Sequence, residues 1–295
     1  MGTHEQHLLS HGYQPKFGDL WNPEIMVILA VVFVLYIMMT GRWRDRFTDS
    51  TPVPIGKKVT FLFAILTLYA AIGSPIYFYS HVSFTVHMFQ QSLFLMIFPP
   101  LVLMGIPDWF LRAILKPPAI NKWFRIVTKP MLSLLMFNLF FSVYHIPMVL
   151  DFVMQYHALH LGYKLLLLGT AFMLWWHMAC PIVEYQRIKN VTLMGFIFAA
   201  GVLMTPACAL IIFASEIVYD SFRNAPQLFI MLPILDDQQL GGVIMKMIQE
   251  IAYGVGLWYA FRKWYQDENP AVDEIDPIDQ PVVHARAELG VSPQN

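Results

Sequence analysis

The chain has 295 residues, of which 57% are apolar, 15% aromatic and only 13% charged, with a net charge of −1 and a mean hydropathy of +0.53. Soluble globular chains carry roughly a quarter charged residues, so an ordinary water-soluble domain is excluded and lipid is the solvent that explains the deficit. Two cysteines, Cys180 and Cys208, are too few for a disulfide framework.

Residues 1–22 are polar, contain His4, His7, His11, Lys16 and Asp19, and lack the apolar stretch of a secretory signal peptide. The first span is therefore expected to act as its own insertion signal. Seven apolar runs follow, each near the ~20 residues needed to cross ~30 Å of hydrocarbon. They are Ile25–Thr40, Val59–Tyr79, Phe84–Met104, Pro130–Leu150, Leu159–Ala179, Val191–Ala214 and Leu240–Phe261. Trp21 and Trp43 flank the first, which is short. The segments DSTPVPIGKK and LKPPAINKW read as loops, and the acidic, Pro-containing stretch after Gln266 reads as a disordered tail. The expected fold is an all-α polytopic bundle: an outer segment 1–22, a seven-helix domain 23–265 and a cytoplasmic tail 266–295.

Lysine and arginine set the sidedness. Arg42, Arg44, Arg46, Lys57 and Lys58 follow the first span; Arg112, Lys116, Lys122, Arg125 and Lys129 follow the third. Arg187 and Lys189 follow the fifth, and Arg262 and Lys263 end the seventh. That places 14 on one side against Lys16 and Arg223 on the other. The positive-inside rule then predicts N-out, C-in.

Given this topology, eight of the ten histidines lie on or near the outer face: His4, His7, His11, His81, His87, His145, His157 and His160. His177 falls at the cytoplasmic end of the fifth span and His284 in the tail. His87 and Gln91 are four apart and share a helix face. Cys208 sits in the outer part of the sixth span, about 25 Å along the membrane normal from Cys180, which forbids a disulfide. Lys246 and Glu250, also four apart, are expected to pair inside the seventh span, facing the bundle interior. Imidazole, thiolate and thioether suit copper, Cys and Met favouring Cu(I). His87, His145, His157, His160, Cys208, Met88, Met245 and Asp237 are therefore the candidate metal residues, with Gln91, Lys246 and Glu250 as further functional candidates. Most methionines in such a chain are gap fillers, and Asp237 also reads as a helix-start residue.

The runs HMFQQSLFLMIFPPLVLMGIP (from His87), HALHLGYKLLLLGTAFMLWW (from His157) and DQQLGGVIM (from Asp237) resemble the CtaG family of cytochrome c oxidase assembly proteins, over roughly residues 60–265. The resemblance implies a non-enzymatic, multi-pass chaperone of the bacterial plasma membrane that takes part in biogenesis of a haem–copper oxidase. Its implied task is insertion of copper into the CuB centre of subunit I, with the oxidase and other copper chaperones as partners. Lipid is a further partner, nucleic acid is not, and a homo-oligomer is left open. The family pattern is expected to have a second histidine one turn after His87; here that position is Gln91, and an amide oxygen is a poor ligand for Cu(I). The competing readings are an intramembrane haem or redox protein and a copper transporter. A retinal protein is prompted by a lysine, Lys246, in the seventh span, but that lysine reads as salt-paired.

Overall fold

The computed structural model describes residues 15–47, 49–223 and 232–269, and all regular structure among them is helical. Ten helices organise it: α1 Pro23–Thr40, α2 Ile55–Ile72, α3 Phe84–Gly105, α4 Asp108–Leu115, α5 Pro118–Val127, α6 Pro130–Tyr144, α7 Pro147–Gln155, α8 His157–Met178, α9 Asn190–Ile212 and α10 Ile234–Glu268. Short turns at Phe17–Leu20, Arg44–Arg46, Pro75–Tyr79, Val183–Tyr185 and Asp220–Arg223 complete the helical structure of the described residues. Among the described residues, five helical segments are long and apolar enough to cross a membrane: α1, Ile55–Tyr79, α3, α8 and α9. The pair α5–α6, bent by 67° at its junction, makes a sixth if taken as one span. α10, at 35 residues, is far longer than a crossing needs, but it carries Asp236, Asp237, Lys246 and Glu250 along its length. α1 leaves Met26, Val27, Ile28, Val31 and Val34 more than half exposed. Exposed apolar surface on that scale fits contact with lipid rather than water.

Four sequence readings need correction. The predicted span Pro130–Leu150 is not continuous: α6 ends at Tyr144, Ile146 is extended, and α7 starts at Pro147. Proline drives its predecessor out of the helical region and suits the first helical position, so the His145-Ile146-Pro147 sequence breaks the helix. The LKPPAINKW stretch, read as a loop, is mostly α5, which Pro118 opens at its first position. IGKK, assigned to a loop, forms the first turn of α2. The tail does not begin at 266, because α10 runs through Glu268.

The π-helical turn Leu93–Ile97 inside α3 has a legible cause. Pro99 has no N–H to give the Leu95 carbonyl four residues earlier. That carbonyl is satisfied by the indole of Trp175 on α8, at 3.0 Å, as a buried acceptor must be. The prolines thus widen α3 and fasten it to α8.

The basic loops gather at one end. Arg112 pairs with Glu184 at 3.1 Å, the Arg187 guanidinium donates to the Arg125 carbonyl at 2.6 Å, and Phe47 lies 5.0 Å from Trp109. The segments after α1 and α8 therefore meet α4 and α5. His81, His145 and His160 lie at the other end, where Asp151 accepts from the backbone of Asp220 and Ser221 at 3.1 and 2.9 Å.

Candidate functional site

The DQQLGG run builds the platform for the histidine end. Asp237, 7% exposed, accepts from Ser83 Oγ at 2.9 Å, from Phe84 N at 2.8 Å and from Thr85 N at 3.3 Å. Thr85 Oγ1 donates to the Asp237 carbonyl at 2.8 Å. A carboxylate across a helix N-terminus answers both its unpaired donors and its dipole. Gln238 Oε1 accepts from Val218 N at 3.0 Å, and Gln239 donates to the Ala214 carbonyl at 2.8 Å, holding the segment after α9. At Gly241 a Cβ would fall 2.7 Å from the Phe84 ring and 3.1 Å from its carbonyl; at Gly242 it would fall 2.8 Å from Ile212. The motif caps α3, ties the segment after α9 and lets three helices approach.

On that platform stand four buried imidazoles. His87 lies on α3, with its ring 6.0 Å from Phe84 and 6.3 Å from Tyr144, and its Nε2 receives the Gln91 amide at 3.2 Å. The Tyr144 hydroxyl, which Gln91 also approaches, meets His160 Nε2 at 3.3 Å. His81 follows Pro75–Tyr79; its Nδ1 donates to the Tyr77 carbonyl at 2.9 Å and its ring centre is 6.3 Å from that of His160. His145 sits at the α6–α7 break, where its Nδ1 donates to the Phe141 carbonyl at 2.8 Å and its own carbonyl takes the Tyr219 hydroxyl at 2.8 Å. With Nδ1 carrying the proton, Nε2 presents a lone pair. That nitrogen is buried and has no hydrogen-bond partner.

Lys164 points its ammonium at Gln90 Oε1, 3.5 Å away, and over the Tyr77 ring at 5.6 Å. Gln90 in turn donates to the Ala71 carbonyl at 2.7 Å. A cavity of about 20 Å³ lies among Gln90, Gln91, Lys164, Phe94 and Leu95, room for about one water.

The structure brings His87, His145, His160 and Gln91 together. It does not bring in His157, which is exposed at the start of α8. Met88 and Met245 are fully buried; the Met245 sulfur accepts from Ser92 Oγ at 2.7 Å, and Met88 packs beside Gly241. Cys208 is 1% exposed in the main core, and both it and Cys180 are free thiols, in line with the forbidden disulfide. Asp237 is engaged as a cap. Lys246 and Glu250 do pair, at 2.7 Å, with Lys246 partly buried against α9 and the Glu250 carboxylate on the outside of the bundle. His4, His7, His11 and His284 lie outside the described residues. Among the described residues, no three of His, Cys, Asp and Glu stand close enough to share a metal.

Sequence reading passed over Lys164 and Tyr144 and left His81 and Gln90 unused. The signal for Lys164 was present: His157, His160 and Lys164 recur at three and seven residues, one helical face. A count of charges confined to loops missed it.

Burial, helped by the Lys164 charge, pushes the His81 imidazole down to about 3 from its usual 6.5. The folded chain then binds no proton at His81 where the unfolded chain does, so stability should fall as pH drops below about 6.5. The loss from this one group is expected to reach about 1 kcal/mol at pH 5.5. Melting curves between pH 5 and 7.5 of the parent and His81→Gln check this; equal pH slopes would refute it.

Residues 34–267 match the family model of the cytochrome c oxidase caa3 assembly factor (Caa3_CtaG). The chain belongs to this family. The match takes in α2 to α9 whole and nearly all of α10, so the capping run and the four imidazoles all lie within the family region. No curated protein and no solved structure matches the chain. Membership makes the chain a factor in assembly of cytochrome c oxidase, and its long apolar helices fit such a role at a membrane.

Proposed function

We propose that this assembly factor crosses the bacterial plasma membrane seven times, N-out and C-in, and carries copper at its histidine end for the CuB centre of oxidase subunit I. The copper is cargo, held in transit, and the chain does no catalysis. The observation that carries the reading is His145 Nε2: a buried lone-pair nitrogen without a partner, on a ring 5.2 Å from that of Tyr144, which His87 and His160 also meet. Imidazole suits copper, and a buried acceptor left unmet costs free energy that a metal ion would offset. Gln91, where the family pattern is expected to have histidine, donates to His87 and holds its ring. It acts as a positioning residue, not a ligand. The lack of a three-ligand cage among the described residues suits a carrier that must release its ion.

The test is metal analysis of the purified protein after loading with Cu(I) against a competing chelator. His145→Ala and His87→Ala should each weaken copper retention by about 10- to 100-fold, while His157→Ala should not. Unchanged retention in both variants would refute the site. In cells lacking the protein, oxidase should retain haem but lose CuB; full CuB occupancy there would refute the delivery role.

A further inference from the structure

α10 lies antiparallel along α9, and the contacts fix its depth. Gly242 meets Ile211 and Ile212, Lys246 donates to Thr205 Oγ1 at 3.0 Å, Gln249 and Tyr253 lie beside Gly201, and Gly256 lies beside Ile197. Lys246 and Glu250 are therefore level with Gly201–Thr205. Thr205 is about 10 Å from one end of α9 and Gly201 about 16 Å from the other, so the pair is near mid-depth of an apolar span. Yet the Glu250 side chain is 60% exposed, against 22% for Lys246.

Ionisable groups at that depth almost always face a bundle interior or a wet cavity, because hydrocarbon offers them nothing. Here the carboxylate faces outward on a continuous helix face with Met247, Ile251, Gly254 and Trp258, all exposed. A Cβ at Gly254 would meet nothing within 4 Å, leaving room for another backbone to come close.

The geometry points to a docking surface: the Glu250 face of α10 receives a transmembrane helix of a different membrane protein, one that presents a cation or an N–H donor at mid-depth. A second copy of this chain fits poorly. A two-fold axis along the membrane normal keeps every residue level with its own copy, so an interface on this face would bring Glu250 against Glu250. The more exposed member of the pair is the acid, and its complement is a donor. The inference rests on the membrane-spanning reading of α9 and α10, and not on copper.

The experiment replaces Ile251 with photo-crosslinking benzoylphenylalanine in the full chain, in native membranes that make the oxidase. The expected product is an adduct with a transmembrane segment of another protein that bears a basic or amide side chain at its middle. At equal amounts of folded protein, its yield should fall about three- to thirtyfold in Glu250→Leu and persist in Glu250→Asp. Adducts with a second copy or with lipid alone, or a yield indifferent to Glu250→Leu, would overturn the docking surface. Labelling of Met247→Cys by a water-soluble maleimide would overturn the depth on which it rests.

Discussion

Replacing Asp237 with alanine should lower the stability of the folded protein by about 3 kcal/mol, a melting shift of about 5–10 °C in detergent. The substitution removes one charged acceptor and leaves three donors without it: Ser83 Oγ and the backbone N–H groups of Phe84 and Thr85. Helix N-termini buried without partners are strongly disfavoured, and this one opens the helix that carries His87. Asp237→Asn keeps an acceptor oxygen and should lose about half as much. Asp236, one residue earlier and exposed, is the control: its alanine variant should stay within about 0.5 kcal/mol. A parental melting curve for Asp237→Ala would show that the cap carries no stability. Copper retention should fall in the same variant, since His87 would lose its fixed position.

Gly105→Ala should be the second large loss, about 2 kcal/mol. The added Cβ would lie 2.8 Å from Phe61 N and 2.9 Å from Phe61 Cα. Those are backbone atoms of α2, so no side chain can turn aside and the helices must separate. The same point holds α1: the Tyr36 ring stacks on Phe61 at 4.0 Å and its hydroxyl donates to the Gly105 carbonyl at 2.9 Å. One methyl group therefore disturbs three helices. Gly162→Ala, where the new Cβ meets nothing within 4 Å, should be neutral or slightly stabilising through helix propensity. Differential melting of the two variants decides it; equal curves would remove the steric argument.

Much of this molecule was legible in its residues. Helical class followed from long apolar runs, because a chain in lipid must satisfy its backbone within each segment. The basic loops came together at one end because like placement of Lys and Arg was already written in their positions after alternate spans. The Lys246–Glu250 pair and the Gln91–His87 contact are four-residue spacings, and helix geometry alone delivers them.

Tertiary structure decided the rest. The break at His145 needed Pro147 to be seen as a helix start, and the unpartnered Nε2 exists only because Phe141 and Tyr219 hold that residue on both sides. Asp237 stood among the candidate ligands, and became a cap because packing sets it against Ser83, 154 positions earlier in the sequence, at the start of α3. His81 and Lys164 joined the site through packing between α8 and the α2–α3 turn. Glu250 was expected inside the bundle and faces out, because spacing fixes which residues share a helix face but only the neighbours fix which way that face points.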